Sequence, residues 1–192
     1  FRKEFGYTTC YIRSVLASKG IKLNSCYICG ILRRQLINKA ARKLKKTKLV
    51  TGHNLDDEVQ VIMMNLLRGN PSLSARLGPT TGVIKDKRFI PRVKPLYLCL
   101  EKEVAQYSKL MNFNIQYAKC PCRSTSSRLA IIDFLNNFND KIKYNIINHF
   151  LKQLPRLKQK YKTNKNPNYC KICKEPCSED ICKACWIKQN LQ

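Results

Sequence analysis

Two Cys-x-x-Cys pairs near the C-terminus constrain the fold of this chain more than any other sequence feature. Cys170 and Cys173 form the first pair, and Cys182 and Cys185 form the second pair eight residues later. Four thiolates at this spacing complete the tetrahedral shell that zinc favours. A segment of about 20 residues buries too little apolar area to fold alone, so the metal would supply most of its folding free energy. We therefore predict a four-cysteine zinc ribbon at 169–192.

The predicted ribbon is structural, because none of its ligand positions is left open for a substrate. Cys177 lies between the two pairs and could replace one of their members as a ligand. The alternative is four unrelated structural cysteines. The chain has 11 cysteines, an odd number, and no apolar secretory segment, which favours metal ligation in a reducing cytosol over a disulfide framework. No apolar run approaches the roughly 20 residues that span a bilayer, so we expect a soluble cytoplasmic protein.

The charge of the chain is strongly one-sided. Lys and Arg number 37 and Asp and Glu number 12, which gives a formal net charge of +25. Such a chain repels itself unless its partner is polyanionic. An AT-rich genome is the alternative explanation, since it would enrich Lys, but it gives no reason for so few Asp and Glu. We therefore expect a nucleic acid partner.

Helical and extended segments alternate along the first 150 residues. The sequence predicts helices at 31–44, 56–68, 101–111 and 127–138, and strands at 48–51 and 114–118. This alternation is typical of a parallel α/β sheet covered by helices. Residues 71–92 are rich in Gly, Pro and Ser and predict a long loop.

Apolar stripes predict which side of the first two helices faces the core. The predicted core positions are Leu32, Leu36, Ala40 and Leu44 in the first helix, and Val59, Ile62, Met63, Leu66 and Leu67 in the second. The strand at 48–51 is expected to be buried.

Three further cysteines lie where predicted elements begin or end. Cys26 and Cys29 come before the first helix, and Cys120 follows the second strand. Ligands of α/β sheets bind outside the carboxyl ends of the strands, so these thiols could converge there. Taken alone, Cys26 and Cys29 fit a zinc half-site, a redox pair or part of a cluster ligand set.

An acidic turn follows the first predicted strand. Gly52 and His53 lead into Asp56 and Asp57 at the start of the second helix. Two adjacent carboxylates suit a hard cation or a proton-transfer step, whereas thiolates suit soft metals or sulfur. The structural alternatives are that the carboxylates simply favour the first turn of a helix and that His53 is a hydrogen-bonded turn residue. Together, the acidic turn and the thiols indicate a functional site more specifically than either feature does alone.

The motifs of this chain run in the same order as those of a known family. They are Cys26-x-x-Cys29-Gly30, Arg33-Arg34, Thr51-Gly52-His53-Asn54-Leu55-Asp56-Asp57-Glu58, Met64-Asn65-Leu66-Leu67-Arg68-Gly69, Pro91-Arg92-Val93-Lys94-Pro95-Leu96, Glu101-Lys102-Glu103, Cys120-Pro121 and the terminal Cys pairs. From residue 26 to residue 185 the chain resembles the tRNA 2-thiouridine synthetases of the N-type ATP pyrophosphatase (PP-loop) superfamily. The archaeal and bacterial thermophile type looks closest, and the eukaryotic cytoplasmic tRNA 2-thiolation subunit is a relative.

The resemblance implies a fold and a reaction. The fold would be a partial adenine nucleotide alpha hydrolase-like (Rossmann-like) parallel sheet flanked by helices at 1–150, a basic helix and linker at 151–168, and the zinc ribbon at 169–192. The reaction would be an ATP-dependent sulfur transfer to a tRNA uridine, in which ATP adenylates the C2 oxygen and a sulfur nucleophile then expels AMP. Adenylation helps because a nucleobase carbonyl is a poor electrophile without an adequate leaving group.

The resemblance also implies roles for single residues. A 4Fe-4S cluster with one iron open would be held by Cys26, Cys29 and Cys120, of which Cys26 and Cys120 count as catalytic. Arg33 would contact ATP, and Gly52 would line the nucleotide pocket. Asp57 would act catalytically at the reacting centre or its magnesium. The implied partners are tRNA, a ubiquitin-like or other sulfur-carrier protein, and a second copy of the chain in a homodimer.

The sequence departs from the family pattern in two places. The phosphate-binding Ser-Gly-Gly-x-Asp-Ser loop and the N-terminal zinc ribbon are absent, so we expect a fragment that is inactive alone, or else a degenerate or split protein. Cys122 could replace Cys120 as a cluster ligand, and Cys10 and Cys99 are expected to be ordinary buried thiols. The alternative functions are a non-catalytic, zinc-stapled RNA-binding module and a sulfur-relay or redox protein that uses the first Cys pair.

Overall fold

The fold is described from a computed structural model, which covers residues 2–81, 88–116, 118, 120, 127–162 and 167–191. The helices are α1 Arg2–Phe5, α2 Thr9–Ser18, α3 Ser25–Lys43, α4 Leu55–Leu67, α5 Pro71–Ser74, α6 Glu101–Leu110, α7 Ser127–Asn136, α8 Asp140–Lys160 and α9 Lys183–Gln189. The strands are β1 Leu49–Val50, β2 Arg92–Val93, β3 Asn168–Tyr169 and β4 Pro176–Cys177. Within these ranges, no helix combines the length and the apolar character that crossing a bilayer requires.

A parallel pair of strands lies at the centre of the α/β region. β1 and β2 run side by side, with Leu49 opposite Arg92 and Val50 opposite Val93. The predicted α/β class with a parallel pairing is therefore confirmed. The expected burial of the first strand is wrong, because Val50 is 65% exposed. The predicted strand at 114–118 is not seen in its described residues, 114–116 and 118, and residue 117 lies outside the description.

Helix α3 begins earlier than the sequence predicts, because Asn24 caps it. The Asn24 side chain accepts a hydrogen bond from the backbone N–H of Cys26 at 2.8 Å, as N-cap residues do. Cys26 and Cys29 therefore lie inside the helix rather than before it. Of the predicted stripe, Leu32 is buried but Leu44 is 64% exposed. A step of four residues turns about 40° beyond one full turn of a helix, so the stripe leaves the core face.

Helices α2, α3 and α9 share one apolar core. Ile12 and Leu16 of α2 pack with Ile28 and Leu32 of α3, and Ile187 of α9 is buried in the same cluster. Because α9 belongs to the C-terminal ribbon, the ribbon is packed on the first long helices of the chain.

A second core joins α4, α7 and α8. Leu55 and Val59 of α4 pack with Ile131 of α7 and Ile147 of α8. The predicted stripe of α4 is wrong at its end, since Leu66 and Leu67 are 69% and 72% exposed. The expected boundary at 150/151 falls within the continuous helix α8, and the division into domains stays a prediction.

Candidate functional site

The four terminal cysteines form one compact cluster of thiols. The Sγ atoms of Cys170, Cys173, Cys182 and Cys185 all lie within 4.8 Å of one another, and those of Cys173 and Cys182 are 3.6 Å apart. A tetrahedral ion with metal–sulfur bonds of about 2.3 Å needs sulfur–sulfur distances of about 3.8 Å. The predicted four-cysteine set therefore fits one zinc ion.

Local structure brings the two halves of the cluster together. The antiparallel hairpin of β3 and β4 carries the first pair, and Cys182 caps the N-terminus of α9 by accepting from the backbone N–H of Cys185 at 3.4 Å. The backbone N–H of Cys182 in turn donates to the Sγ of Cys170 at 3.3 Å. The Cys177 thiol donates to the Glu179 carbonyl oxygen at 2.8 Å, and Cys177 is not a member of the cluster.

The thiols of the cluster differ in acidity. Burial opposes ionisation of Cys170, but backbone N–H groups of Cys173, Cys182 and Ile172 stabilise its thiolate and lower its pKa to about 6. Burial raises the pKa of Cys182 to about 11 and raises the pKa of Cys185. Without a metal, the Cys170 thiol is mostly ionised at neutral pH, whereas Cys182 and Cys185 keep their protons, which an incoming ion would displace.

Side chains outside the ribbon hold it against α3. Gln35 of α3 points its Nε2 at the Sγ of Cys173, 3.6 Å away, and at the Sγ of Cys185, 4.0 Å away. Arg42, also on α3, makes a two-pronged ion pair with the buried Glu175, with 2.9 Å between Nη1 and Oε2. These contacts were not predicted from the sequence, because they join residues more than 130 positions apart.

The predicted cluster cysteines lie on two separate segments. Cys26 is exposed and Cys29 half-buried in the first turns of α3, and Cys120 is exposed in a coil. Among the residues that the structure describes, the terminal cysteines are the one set of three or more metal-binding side chains close enough to share an ion. The three-cysteine set therefore stays a prediction, and Cys122 lies outside the described residues.

Two cysteines without an assigned role were expected to be buried. Cys10 is exposed, so the expectation is wrong for it, and Cys99 is half-buried. Cys10 lies two residues before Ile12, which faces the core, and so points to the other side of α2.

The acidic turn caps α4. Asn54 accepts from the backbone N–H of Asp57 at 3.0 Å, and the Asp57 carboxylate accepts from the backbone N–H of Asn54 at 3.4 Å, which is a capping box. The other Asp57 oxygen accepts from Arg128 Nη2 of α7 at 2.6 Å. Gly52 lies exposed just before this turn. The Asp57 side chain is oriented by two partners and is still one-third exposed.

The neighbouring residues of the turn have structural partners. Asp56 Oδ1 accepts from Lys143 Nζ of α8 at 2.7 Å, and Asp56 Oδ2 accepts from the backbone N–H of Glu101 at 2.7 Å. His53 Nδ1 lies 2.9 Å from the hydroxyl of Thr51. These contacts favour the structural alternative for Asp56 and His53 and leave Asp57 as the candidate catalytic carboxylate.

A buried ion pair lies beside the turn and was not predicted from the sequence. Lys94, directly after β2, donates to Glu58 Oε1 of α4 at 2.6 Å, and both side chains are at most 6% exposed. Within the described part, Glu58 Oε2 and the Tyr97 hydroxyl are buried without a hydrogen-bond partner. Burial and the Glu58 charge raise the pKa of Tyr97. The pair ties the end of β2 to the first turn of α4.

Two curated relatives are similar to nearly the whole chain. The tRNA-5-methyluridine(54) 2-sulfurtransferase of Pyrococcus horikoshii is 33% identical over 83% of this chain and 52% of its own length. The cytoplasmic tRNA 2-thiolation protein 1 of Candida glabrata is 34% identical over 100% of this chain and 54% of its own length. The chain thus spans about half the length of the curated relatives it matches. No protein-family model matches it.

A solved structure has the same fold. The U34-tRNA thiolase NcsA from Methanococcus maripaludis, determined with its [4Fe-4S] cluster, superposes with a TM-score of 0.68 at 29% sequence identity. The match covers 89% of this chain and 54% of the NcsA chain. The matched part of this chain therefore has a fold already seen in a thiolase.

Proposed function

Because this chain is a homologue of the tRNA 2-thiolation proteins, we propose that it takes part in the ATP-dependent 2-thiolation of a tRNA uridine in the cytoplasm. The support is the similarity along nearly the full chain to two curated thiolation proteins and to a solved thiolase. The relatives name different uridines, 54 and 34, so the proposal covers the reaction and not the position of the base.

The proposed reaction replaces the C2 oxygen of uridine by sulfur in two steps. The C2 oxygen attacks the α-phosphorus of ATP and releases pyrophosphate, which leaves an adenylated base. A sulfur nucleophile then adds to C2, and AMP departs with the former oxygen atom. Catalysis requires groups that position the phosphates and stabilise the charge that develops on them.

The observation that carries the proposal is the geometry of the Asp57 turn. Asp57 lies at the start of α4, just beyond the carboxyl end of β1, where α/β sheets bind their ligands. Its contact with Arg128 Nη2 fixes the carboxylate while one-third of the side chain remains accessible. In this position Asp57 would bind magnesium at the nucleotide or hold a proton of the reacting base. Gly52 would line the nucleotide pocket and Arg33 would contact ATP.

The iron-sulfur part of the proposal rests on Cys26, Cys29 and Cys120. A 4Fe-4S cluster would supply an open iron that holds the incoming sulfur. Asn24, as the cap of α3, fixes the backbone at Cys26. The sulfur would come from a ubiquitin-like or other carrier protein, and two copies of the chain would form a homodimer. The terminal cysteines would hold a structural zinc.

The direct test measures thiolated tRNA in a host that lacks its own 2-thiolation protein. We expect the full-length gene product to restore tRNA that is retarded on a mercury-containing gel. The Asp57→Asn variant should not restore it. If the wild-type protein does not restore retarded tRNA, the proposed function is contradicted. If the Asp57→Asn variant restores it as well as the wild type does, the role of Asp57 is contradicted.

Metal analysis separates this proposal from a second candidate, a non-catalytic RNA-binding module stapled by zinc. The observation that favours the second candidate is that the ribbon is the assembled metal-binding set in the described part of the chain. Anaerobically purified thiolase should contain iron, acid-labile sulfide and zinc. Protein that carries zinc alone would overturn the cluster assignment and favour the RNA-binding module.

A further inference from the structure

Two exposed tyrosines are stacked on each other at the start of α2. The ring centroids of Tyr7 and Tyr11 are 4.7 Å apart, and their ring planes differ by 19°. Tyr7 is 44% exposed and Tyr11 is 50% exposed. The stack therefore keeps aromatic surface in contact with water, onto which a further flat ring can stack.

The local backbone holds this pair on the outer side of α2. Thr8 caps the helix by accepting a hydrogen bond from the backbone N–H of Tyr11 at 3.3 Å, so Tyr7 comes just before the cap and Tyr11 lies in the first turn. The next residue, Ile12, is fully buried in the core shared with α3. Ser14, one turn beyond Tyr11, is exposed and too short to cover the ring.

A purely structural role for the pair is the alternative. A hydrophobic staple joins the residue before the helix cap to the fourth residue of the helix, which here is Ile12 and not Tyr11. Ile12 already anchors this turn in the core, whereas Tyr11 keeps half of its surface exposed. Fixing the start of the helix therefore does not require two aromatic rings at the surface.

The tyrosines lie in a stretch that carries positive charge only. Between Glu4 and Asp56 the sequence contains 11 Lys and Arg and no Asp or Glu. Glu4 itself is paired with Lys39 of α3. The hydrogen bond and charge of Lys39, followed by the charges of Lys188 and Lys43, lower the pKa of Glu4. The surface formed by α1 to α3 is therefore complementary to a polyanion.

A nucleic acid strand with unpaired bases combines flat rings with negative charge, since its bases stack on aromatic side chains while its phosphates face Lys and Arg. We infer that Tyr7 and Tyr11 form a stacking platform for an unpaired base of an RNA strand. Because α2 packs on α3 through Ile12 and Ile28, the platform holds the RNA beside the helix that carries Cys26 and Cys29. The inference rests on the proposed function only for the identity of this RNA as tRNA.

The test measures the binding of three probes to the full chain. They are an unmodified tRNA transcript, a short single-stranded RNA of mixed sequence, and the fully paired duplex of that RNA. We expect Tyr11→Ala to weaken binding of the tRNA and of the single strand by about tenfold, because one stacked base loses its partner. Binding of the duplex should not change, because its bases are already paired and stacked. Tyr11→Phe keeps the ring and should bind all three probes as the wild type does.

The matched control is Tyr107→Ala on α6. Tyr107 is also exposed and also belongs to an aromatic pair, with Phe113, so this change removes a comparable ring away from α2. The control should bind all three probes as the wild type does. Because stacking involves no phosphate, Tyr11→Ala should lower the affinity without changing the slope of log affinity against log salt.

Photo-crosslinking gives a readout on the unchanged protein. Ultraviolet irradiation of the wild type with the single strand should attach a base to Tyr7 or Tyr11, and trypsin releases both in one peptide, 4–13. Crosslinked bases found only outside this peptide would overturn the inference. It would also be overturned if Tyr11→Ala binds the single strand as Tyr107→Ala does, or if it weakens the duplex equally.

The binding and crosslinking experiments need neither ATP nor an iron-sulfur cluster. Their result is therefore independent of whether the chain takes part in thiolation. Stacking on Tyr7 and Tyr11 without any tRNA thiolation would contradict the proposed function and leave the platform intact. Thiolation with unchanged RNA binding by Tyr11→Ala would overturn the platform and leave the proposed function intact.

Discussion

At the scale of single residues, Asp56 and Asp57 are neighbours in sequence with different surroundings in the fold. Asp56 is 12% exposed and joins α4 to α8 through Lys143. Asp57 is 33% exposed and faces Arg128. The two carboxylates are therefore expected to respond differently to the same substitution.

We predict that Asp57→Asn removes thiolation and changes the free energy of unfolding by at most about 1 kcal/mol, because it breaks a partly exposed ion pair. Asp56→Asn should destabilise the fold by about 1–3 kcal/mol, because a mostly buried Lys143 loses the nearer of its two carboxylate partners and keeps only Asp140, 3.5 Å away. Urea unfolding and the tRNA gel assay measure the two effects. A similar loss of stability in both variants would show that Asp57 is merely structural.

The buried pair of Lys94 and Glu58 gives a second prediction. Lys94→Met leaves the Glu58 charge without its partner and should cost about 3–5 kcal/mol of unfolding free energy. The double variant Lys94→Met with Glu58→Leu should recover much of this loss, because no buried charge remains. A double-mutant cycle by urea unfolding measures the coupling. Additive effects of the two single changes would contradict a direct pairing.

At the scale of secondary-structure elements, the ribbon and α3 are joined through a shared core. Ile187 of α9 packs with Ile28 and Leu32 of α3, and Gln35 of α3 contacts two of the cluster sulfurs. Loss of the metal should therefore loosen α3 as well as the ribbon.

We predict that zinc removal by a chelator, or the Cys182→Ser change, lowers the unfolding temperature and speeds amide hydrogen exchange in both α9 and α3. The effect follows because metal binding supplies the folding free energy of the ribbon. Cys10→Ser, at an exposed thiol on α2, is the matched control and should retain zinc. If amide exchange becomes faster in the ribbon only, loss of the metal does not loosen α3 through the shared core.

The elements also show what a sequence can reveal. The spacing of the terminal cysteines is sufficient to predict their joint site, because the four ligands lie within 16 positions of one another. The helices at 101–111 and 127–138 are confirmed as α6 and α7 within one or two residues. The exposure of Leu66 and the pairing of Lys94 with Glu58 were missed, because both depend on which distant elements pack together.

At the scale of the whole molecule, the net charge of +25 dominates. Internal ion pairs use the few acidic residues, including Glu58, Glu175 and both carboxylates of the α4 turn. Acidic side chains are therefore scarce as counter-charges for the remaining Lys and Arg. The molecule is expected to attract a polyanion over a wide surface.

We predict that tRNA binding weakens by about tenfold or more when salt is raised from about 50 mM to about 200 mM, because phosphate contacts release counterions. Titration of a fluorescent tRNA transcript at several salt concentrations measures the slope. An uncharged sugar at equal osmolarity is the control and should leave the affinity unchanged. Affinity that is independent of salt would contradict a role for the basic charge.

The Gln35 contact links the ribbon to the helix that carries the Cys26–Cys29 pair. A thiophilic ion with a different coordination preference, such as Cu(I), would distort the four-sulfur ribbon. The displacement would then reach the helix on which the proposed iron-sulfur ligands lie. Copper would therefore disturb this helix from the side of the ribbon, in addition to any binding at the soft thiols of Cys26 and Cys29 themselves.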